Sequence, residues 1–201
     1  LSSRRQRQMC IRDSLIPHPT ETYTIGSGKG DYEKAHIPGA DFLDLQQELS
    51  NNTSKLRFTF PSAEHFSKAI GAHGLSNDNQ AILYSTTSPQ WATRIWWMLR
   101  AFGFDNAKVL DGGLIRWVQK GYPTSTIPST YPAQSFTAKP RPGLIIQKSD
   151  VLLGIHESNT CIINALSQEQ HIGVGGRTYG RPGRIKAVSY THLTLPTRAQ
   201  V

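Results

Sequence analysis

The stretch that decides the fold is AILYSTTSPQWATRIWW, residues 81–97. Its first four residues, Ala81 to Tyr84, form a short apolar run that predicts a buried strand. A polar loop, Ser85 to Pro89, follows it. A helix is then predicted from Gln90 to Phe102, because apolar residues recur there at spacings of three and four. Loops between a strand and a helix N-terminus often hold anions in α/β proteins, but this loop offers only hydroxyl groups.

Short apolar runs and amphipathic segments alternate on both sides of this stretch. Further strands are predicted over 41–45 and 107–110, and further helices over 62–72 and 114–120. In His36–Ala40 (HIPGA), proline and glycine occupy the two central positions of a predicted type II turn. Strands that alternate with helices predict an α/β fold, with a central, mainly parallel sheet covered by helices on both faces.

The domain organisation follows from a change in composition. Residues 126–142 are rich in proline, serine and threonine and are predicted to be an interdomain linker. The alternating pattern then restarts with a strand, a capped helix and a second strand: Leu144–Gln147, a helix capped by Ser149, and Cys161–Ala165. We therefore predict one near-complete domain over residues 15–125 and the start of a second over 143–187.

The two ends of the chain share one coding sequence. The codons CGT CGG CAG CGT CAG ATG TGT ATA AGA GAC encode Arg4–Asp13, and the complementary strand of the same DNA encodes Val188–Thr197. No folding requirement produces this relation. We interpret residues 1–14 and 188–201 as translations of one DNA adapter, and we expect the natural protein to be truncated at both ends and these segments to pack on nothing.

Charge and cysteine content change when these ends are excluded. The formal net charge falls from +8 to +4, because five basic residues and one acidic residue are removed: Arg4, Arg5, Arg7, Arg12, Arg198 and Asp13. No run of basic residues remains, so no nucleic-acid partner is predicted. No apolar run reaches membrane-spanning length. Cys161 is then the sole cysteine, so nothing indicates a disulfide-stabilised secreted domain, and we expect a cytoplasmic protein.

Three motifs, in order, resemble the rhodanese family of tandem-domain sulfurtransferases. They are HIPGA before an acidic strand, the segment WATRIWWMLRAFG, and the segment VLDGGLIRW: His36–Ala40, Trp91–Gly103 and Val109–Trp117. The resemblance implies transfer of sulfane sulfur from thiosulfate or 3-mercaptopyruvate to a thiophilic acceptor, through a cysteine persulfide and without a cofactor or metal. Helix amides and the helix dipole favour such a thiolate, because they lower the pKa of a thiol placed there.

The nucleophile position of the first domain holds Ser85, which cannot carry a persulfide. The resemblance therefore implies a non-catalytic first domain, with the working cysteine in a part of the second domain beyond Ala187. Cys161 begins an apolar run and is predicted to be a core residue. We expect this chain to be inactive by itself. A binding or regulatory module without a cysteine in either domain is the alternative.

Four arginines are candidates for binding an anionic sulfur donor: Arg94, Arg177, Arg181 and Arg184. Arg94 holds carboxylates at a domain interface or lies on a solvated helix face. The other three lie in or beside a glycine-rich segment, which is an anion-binding loop or a solvated one. The hydroxyls after Tyr84 lack the surroundings of a serine nucleophile, and Ser88 is instead predicted to cap a helix. His36 is predicted to order the turn rather than act as a base.

Overall fold

The computed structural model describes residues 6–11, 13–16, 24–174, 183–186 and 188–190. The chain divides into two compact units, and the first unit ends at Pro142 where the second begins at Gly143. Each unit is described by itself below. Within the described residues, no helix is long and apolar enough to cross a membrane.

The strands and helices follow the alternation predicted from the sequence. The strands are β1 (Gln6–Ile11), β2 (Asp13–Ile16), β3 (Thr24–Ser27), β4 (Ala40–Phe42), β5 (Gln80–Ser85), β6 (Ala107–Val109), β7 (Ile163–Asn164) and β8 (Ser189–Tyr190). The helices are α1 (Lys29–Lys34), α2 (Ala63–Ala72), α3 (Pro89–Ala101), α4 (Gly113–Gln119), α5 (Lys148–Gly154) and α6 (Gln168–Ile172). The predicted strand and helix of the opening stretch are thus confirmed as β5 and α3.

A four-stranded parallel sheet with the order β4-β1-β5-β6 forms the centre of the first unit. Side chains alternate between its faces along β5. Ala81 and Leu83 join the larger core with helices α2 and α3, whereas Tyr84 joins a second core with residues of α1 and α4. Alternation of this kind requires cover on both faces of the sheet. The predicted α/β architecture, with helices on both faces, is therefore confirmed.

The adapter-like ends contradict the prediction that they pack on nothing. Strand β1 lies inside the sheet, where Gln8–Cys10 pair with β4 and Gln6–Ile11 pair with β5. Ser189 and Tyr190 likewise pair with Ile163 and Asn164 of β7. The physical reason is that strand pairing uses backbone amide and carbonyl groups, which every non-proline residue carries. The place between β4 and β5 can for the same reason be filled by a segment of almost any sequence without proline; the adapter origin of residues 1–14 stays a prediction.

Two local signals have the predicted effect. Gly39 has a φ of 77°, and the Ala40 amide donates to the Ile37 carbonyl at 2.9 Å, which closes the predicted turn. Ser62 caps α2, and its hydroxyl oxygen accepts a hydrogen bond from the His65 amide at 3.1 Å. The turn places Ala40 at the start of β4, next to β1.

Residues 129–141, here called the strap, lie along the first unit. Within the strap, the amides of Gln134, Lys139 and Arg141 donate to carbonyl oxygens of helices α2 and α3 and of Phe102. Phe136 is only 6% exposed and belongs to the larger core. The proline-rich segment that the sequence predicts as a linker is therefore attached to the first unit along most of its length.

The second unit corrects four sequence predictions. Residues 144–147 form no strand, and α5 begins after Gln147, whose amide donates to the Asp150 carboxylate, rather than at a Ser149 cap. The predicted strand over 161–165 is reduced to Ile163–Asn164, and Cys161 is exposed rather than buried in a core. The reason is that the sheet of this unit consists of β7 and β8, two strands of two residues each. Such a sheet offers too little surface to cover apolar side chains. Exposed examples are Ile145, Ile146, Leu152, Leu153 and Ile163.

Candidate functional site

The loop from Ser85 to Ser88 joins the carboxyl end of β5 to the N-terminus of α3. The Ser85 hydroxyl is buried, with 5% of the residue exposed, and it donates to the Ser88 carbonyl at 2.6 Å. Ser88 occupies the predicted N-cap position of α3, but its side chain makes no capping hydrogen bond, and Pro89 follows it. This hydrogen bond from Ser85 to Ser88 closes the loop.

The chemistry available to this loop is limited. A serine hydroxyl needs a neighbouring base to become a nucleophile, and the Ser85 hydroxyl instead donates to a backbone carbonyl. The Thr86 hydroxyl is buried and has no hydrogen-bond partner among the described residues. Among the described residues it is the one buried side-chain oxygen of the loop that lacks a partner, and the sequence does not predict it.

Neighbouring elements hold the loop tightly. Gly113, at the start of α4, has a φ of 55°, and a Cβ atom at this position would collide with the Ser85 carbonyl oxygen. The Tyr84 hydroxyl accepts a hydrogen bond from the Ile37 amide at 3.0 Å, which connects β5 to the HIPGA turn. Two of the three sequence motifs therefore position this loop. The VLDGGLIRW motif packs against the loop backbone through Gly113, and the HIPGA motif holds the preceding strand through the hydrogen bond from Ile37 to Tyr84.

Arg94 lies on α3 and is half-buried, so it does not lie on a solvated helix face. Its Nη2 atom donates to the Phe58 carbonyl at 2.8 Å, and the guanidinium lies over the Phe60 ring, 4.6 Å from its centroid. Burial lowers the pKa of Arg94. These contacts attach the loop before α2 to helix α3. Binding of a carboxylate by Arg94 stays a prediction.

Of the other candidate arginines, one belongs to the second unit and two fall outside the described residues. Arg184 is exposed, and its Nη1 atom lies 3.5 Å from the His171 carbonyl oxygen. Arg177 and Arg181 fall outside the described residues. Both ring nitrogens of the buried His36 face carbonyl oxygens, of Tyr32 at 2.7 Å and Ile127 at 2.9 Å. His36 therefore joins α1 to the segment before the strap.

A second polar cluster was not found from the sequence. His73 lies between two carboxylates, with Nδ1 2.7 Å from Asp41 and Nε2 2.9 Å from Glu48. Burial disfavours the charged imidazole, but hydrogen bonds to the two carboxylates outweigh it and raise the pKa of His73 to about 9. Burial also opposes the charge of Glu48, whose pKa is nevertheless lowered by hydrogen bonds from His73 and the Asp44 amide. No signal in the sequence joins these three residues, because His73 lies 32 positions after Asp41 and 25 after Glu48.

Metal-ligating residues do not converge in the part of the chain that the structure describes. There, no three histidine, cysteine, aspartate or glutamate side chains are arranged to hold a metal ion.

Known proteins with the same elements identify the first unit. Residues 27–120 match the family described as the rhodanese-like domain. This segment is a rhodanese-like domain. The match includes the HIPGA turn, the Ser85 loop and helix α4, so all three sequence motifs lie within it.

The curated relatives are sulfurtransferases. The chain is 30% identical over 145 residues to the thiosulfate sulfurtransferase of Cricetulus griseus, and this alignment covers 71% of this chain and 48% of that protein. It is 36% identical over 135 residues to the 3-mercaptopyruvate sulfurtransferase of Escherichia coli K12, and this alignment covers 67% of this chain and 48% of that protein. The chain thus spans about half the length of these relatives.

The fold is shared with a solved structure of a related enzyme. The chain superposes with a TM-score of 0.75 and 29% identity on the 3-mercaptopyruvate sulfotransferase SseA from Escherichia coli, described as having the rhodanese fold. The superposition covers 92% of this chain and 68% of that structure.

Proposed function

We propose that this chain is part of a tandem sulfurtransferase, in which the first unit is a non-catalytic rhodanese-like domain and the second belongs to the catalytic type. The observation that carries the proposal is Ser85, which stands at the end of β5 and before α3 with its hydroxyl bonded to the Ser88 carbonyl. A thiolate at this place would attack the outer sulfur of thiosulfate, break the S–S bond of the donor, release sulfite and become a persulfide. A cysteine thiol is acidic enough to form this thiolate, whereas a serine hydroxyl is not acidic enough to ionise in the same way.

The sulfur donor is proposed to be a small anion, thiosulfate or 3-mercaptopyruvate, and the acceptor a thiophile. The names of the curated relatives support this choice of donors. Among the candidate arginines, Arg177, Arg181 and Arg184 are proposed to attract the donor, because their positive charges lie close together along the chain. Arg94 is proposed to act on the loop before α2, through its contacts with Phe58 and Phe60.

The test is an assay of the purified chain with each donor and cyanide, followed by mass spectrometry of its cysteines. We expect no turnover and no cysteine that gains a sulfur atom, because the nucleophile position holds a hydroxyl. The exposed Cys161 is the control thiol: Cys161→Ser is expected to leave the result unchanged. Turnover that disappears in Cys161→Ser would contradict the proposal, since the nucleophile would then lie in the second unit of this chain.

The alternative function is a binding or regulatory module. The hydrogen bond from the Ser85 hydroxyl to the Ser88 carbonyl is compatible with this alternative. Neither a binding module nor the non-catalytic domain of a sulfurtransferase requires a reaction at this loop. The residue at the equivalent loop of the second domain in an independently sequenced gene separates the two. A cysteine there supports the sulfurtransferase, whereas serine or aspartate supports the module.

A further inference from the structure

The strap rests on a surface that is built to receive an extended chain. Three glycines lie beneath it, and a Cβ atom at any of them would collide with the strap. At Gly71 the added atom would lie 2.5 Å from the Gln134 carbonyl oxygen, at Gly74 2.5 Å from Tyr131 Cβ, and at Gly103 2.8 Å from the Lys139 carbonyl oxygen. Close approach of two backbones is a recurring reason for glycine. We refer to the surface around these glycines as the strap groove.

The strap groove binds the backbone of its occupant. The Gln134 amide donates to the Gly71 carbonyl at 2.9 Å, and the Lys139 amide donates to the Phe102 carbonyl at 2.8 Å. The Asn77 side chain pairs with both backbone groups of Thr137, accepting from its amide at 2.8 Å and donating to its carbonyl at 3.1 Å. Contacts of this kind do not depend on the side chains of the occupant.

Two side chains give the strap groove its selectivity. Phe136 enters the core, with its ring centroid 6.1 Å from that of Phe66 and 5.7 Å from that of Phe104. Five residues later, Arg141 pairs with Asp105 through both terminal nitrogens, one of them at 2.7 Å. A buried aromatic anchor and a bidentate arginine at the end are the features that dominate peptide recognition.

Between and beyond these anchors the strap is largely exposed, although Ser129, Tyr131 and Ala138 are half-buried. Most of its residues face solvent, and an open cavity of about 670 Å³ lies between α2 and residues 133–137. An element with few buried side chains opens more readily than the core strands do.

From these contacts we propose that the strap groove is a peptide-binding site and that residues 129–141 are its built-in, displaceable occupant. The ligand class is an extended peptide with an aromatic residue five positions before an arginine. The tethered strap competes with any free peptide, because attachment to the same chain gives it a high effective concentration. This binding site is separate from the Ser85 loop, and peptide binding there would be a function distinct from sulfur transfer.

The test measures binding of a fluorescent peptide with the sequence of residues 129–141 by anisotropy. We expect the full chain carrying Phe136→Ala to bind this peptide at least about tenfold more tightly than the unmodified chain does, because its own strap has lost the anchor. The same peptide with alanine in place of its phenylalanine is the matched control and is expected to bind at least about tenfold more weakly. Equal affinity for both peptides, or no binding by a folded Phe136→Ala chain, overturns the proposal.

A further variant locates the binding site. Gly71→Ala, added to the Phe136→Ala chain, is expected to abolish peptide binding, because the added methyl group meets the backbone of the occupant. Gly30→Ala is the matched control, since nothing lies within 4 Å of a Cβ atom at Gly30. Peptide binding that survives Gly71→Ala overturns the assignment of the site to the strap groove.

If Phe136→Ala does not fold, hydrogen exchange on the unmodified chain decides the question. The amides of Gln134, Ala138, Lys139 and Arg141 are expected to exchange together and at least about tenfold faster than the amide of Leu83, relative to their intrinsic rates. Protection equal to that of Leu83 shows that the strap opens only when the whole domain unfolds, and it overturns the proposal.

Discussion

At the scale of single residues, position along the chain is easier to predict than burial or pairing. Ser85 lies at the carboxyl end of β5, as local order predicts, and its assignment to the nucleophile position, which rests on the family resemblance, stays a prediction. Cys161 was wrongly assigned to a core, because an apolar run does not reveal whether a sheet exists to cover it. The cluster of Asp41, Glu48 and His73 was missed, since its members meet only when α2 packs near β4.

His73→Gln should destabilise the first unit in a pH-dependent manner. The pKa of His73 in the folded protein, about 9, exceeds the ordinary value of 6.5. Its charged form therefore contributes fully below pH 6.5, and the contribution is lost as the pH rises through 9. We expect the variant to lose on the order of 2 kcal/mol of unfolding free energy near pH 6.5 and much less near pH 9.5. Urea unfolding at both values measures the difference.

His156→Gln is the control, because His156 is exposed in the second unit. It should change the urea midpoint little at either pH. A loss of stability by His73→Gln that is the same at both pH values would contradict a charged imidazole between the two carboxylates.

At the scale of elements, helix starts with a single clear signal were predicted, and those with competing signals were not. Ser62 caps α2 as expected. For α5 the sequence predicts Ser149 as the capping residue, but the helix begins at Lys148, and the Asp150 carboxylate accepts a hydrogen bond from the Gln147 amide. Several capping residues close together leave the choice to small energy differences. The strap is predicted as part of a linker because residues 126–142 are rich in proline, serine and threonine. The burial of Phe136 gives no periodic pattern that could correct this prediction.

The capping prediction can be measured with a matched pair of serines. Ser62→Ala should lower the free energy of unfolding by about 1 kcal/mol, because the His65 amide loses its acceptor. Ser88→Ala should have a smaller effect, since the Ser88 side chain makes no capping hydrogen bond. Chemical denaturation of both variants tests this order. Equal losses, or a larger loss in Ser88→Ala, would show that the capping hydrogen bond is not the cause.

At the scale of the whole molecule, the unexpected finding is strand β1 in the middle of the sheet. Its position between β4 and β5 means that the sheet of the first unit depends on residues whose sequence looks foreign. Pairing by backbone groups explains how this is possible. In the second unit, by contrast, a two-stranded sheet leaves residues such as Leu153 exposed, at 70%.

Met9→Pro should destabilise the first unit strongly. Met9 pairs with Asp41 on one side and Leu83 on the other, and proline removes the amide hydrogen and restricts the backbone in an interior strand. We expect a loss on the order of 3 kcal/mol in denaturant unfolding. Met9→Ala keeps the amide and should lose less. An unfolding midpoint for Met9→Pro equal to that of the unmodified chain would show that β1 does not support the sheet.

The sequence by itself determined the α/β class, the order of β4, α2, β5, α3, β6 and α4, the HIPGA turn and the serine at the end of β5. These features depend on periodicity, turn chemistry and local order, which are all present in short segments. The tertiary structure alone decided the place of β1, the attachment of the strap and the charge of His73. Each of these depends on groups that are distant along the chain and become neighbours only when the sheet and its helices pack together.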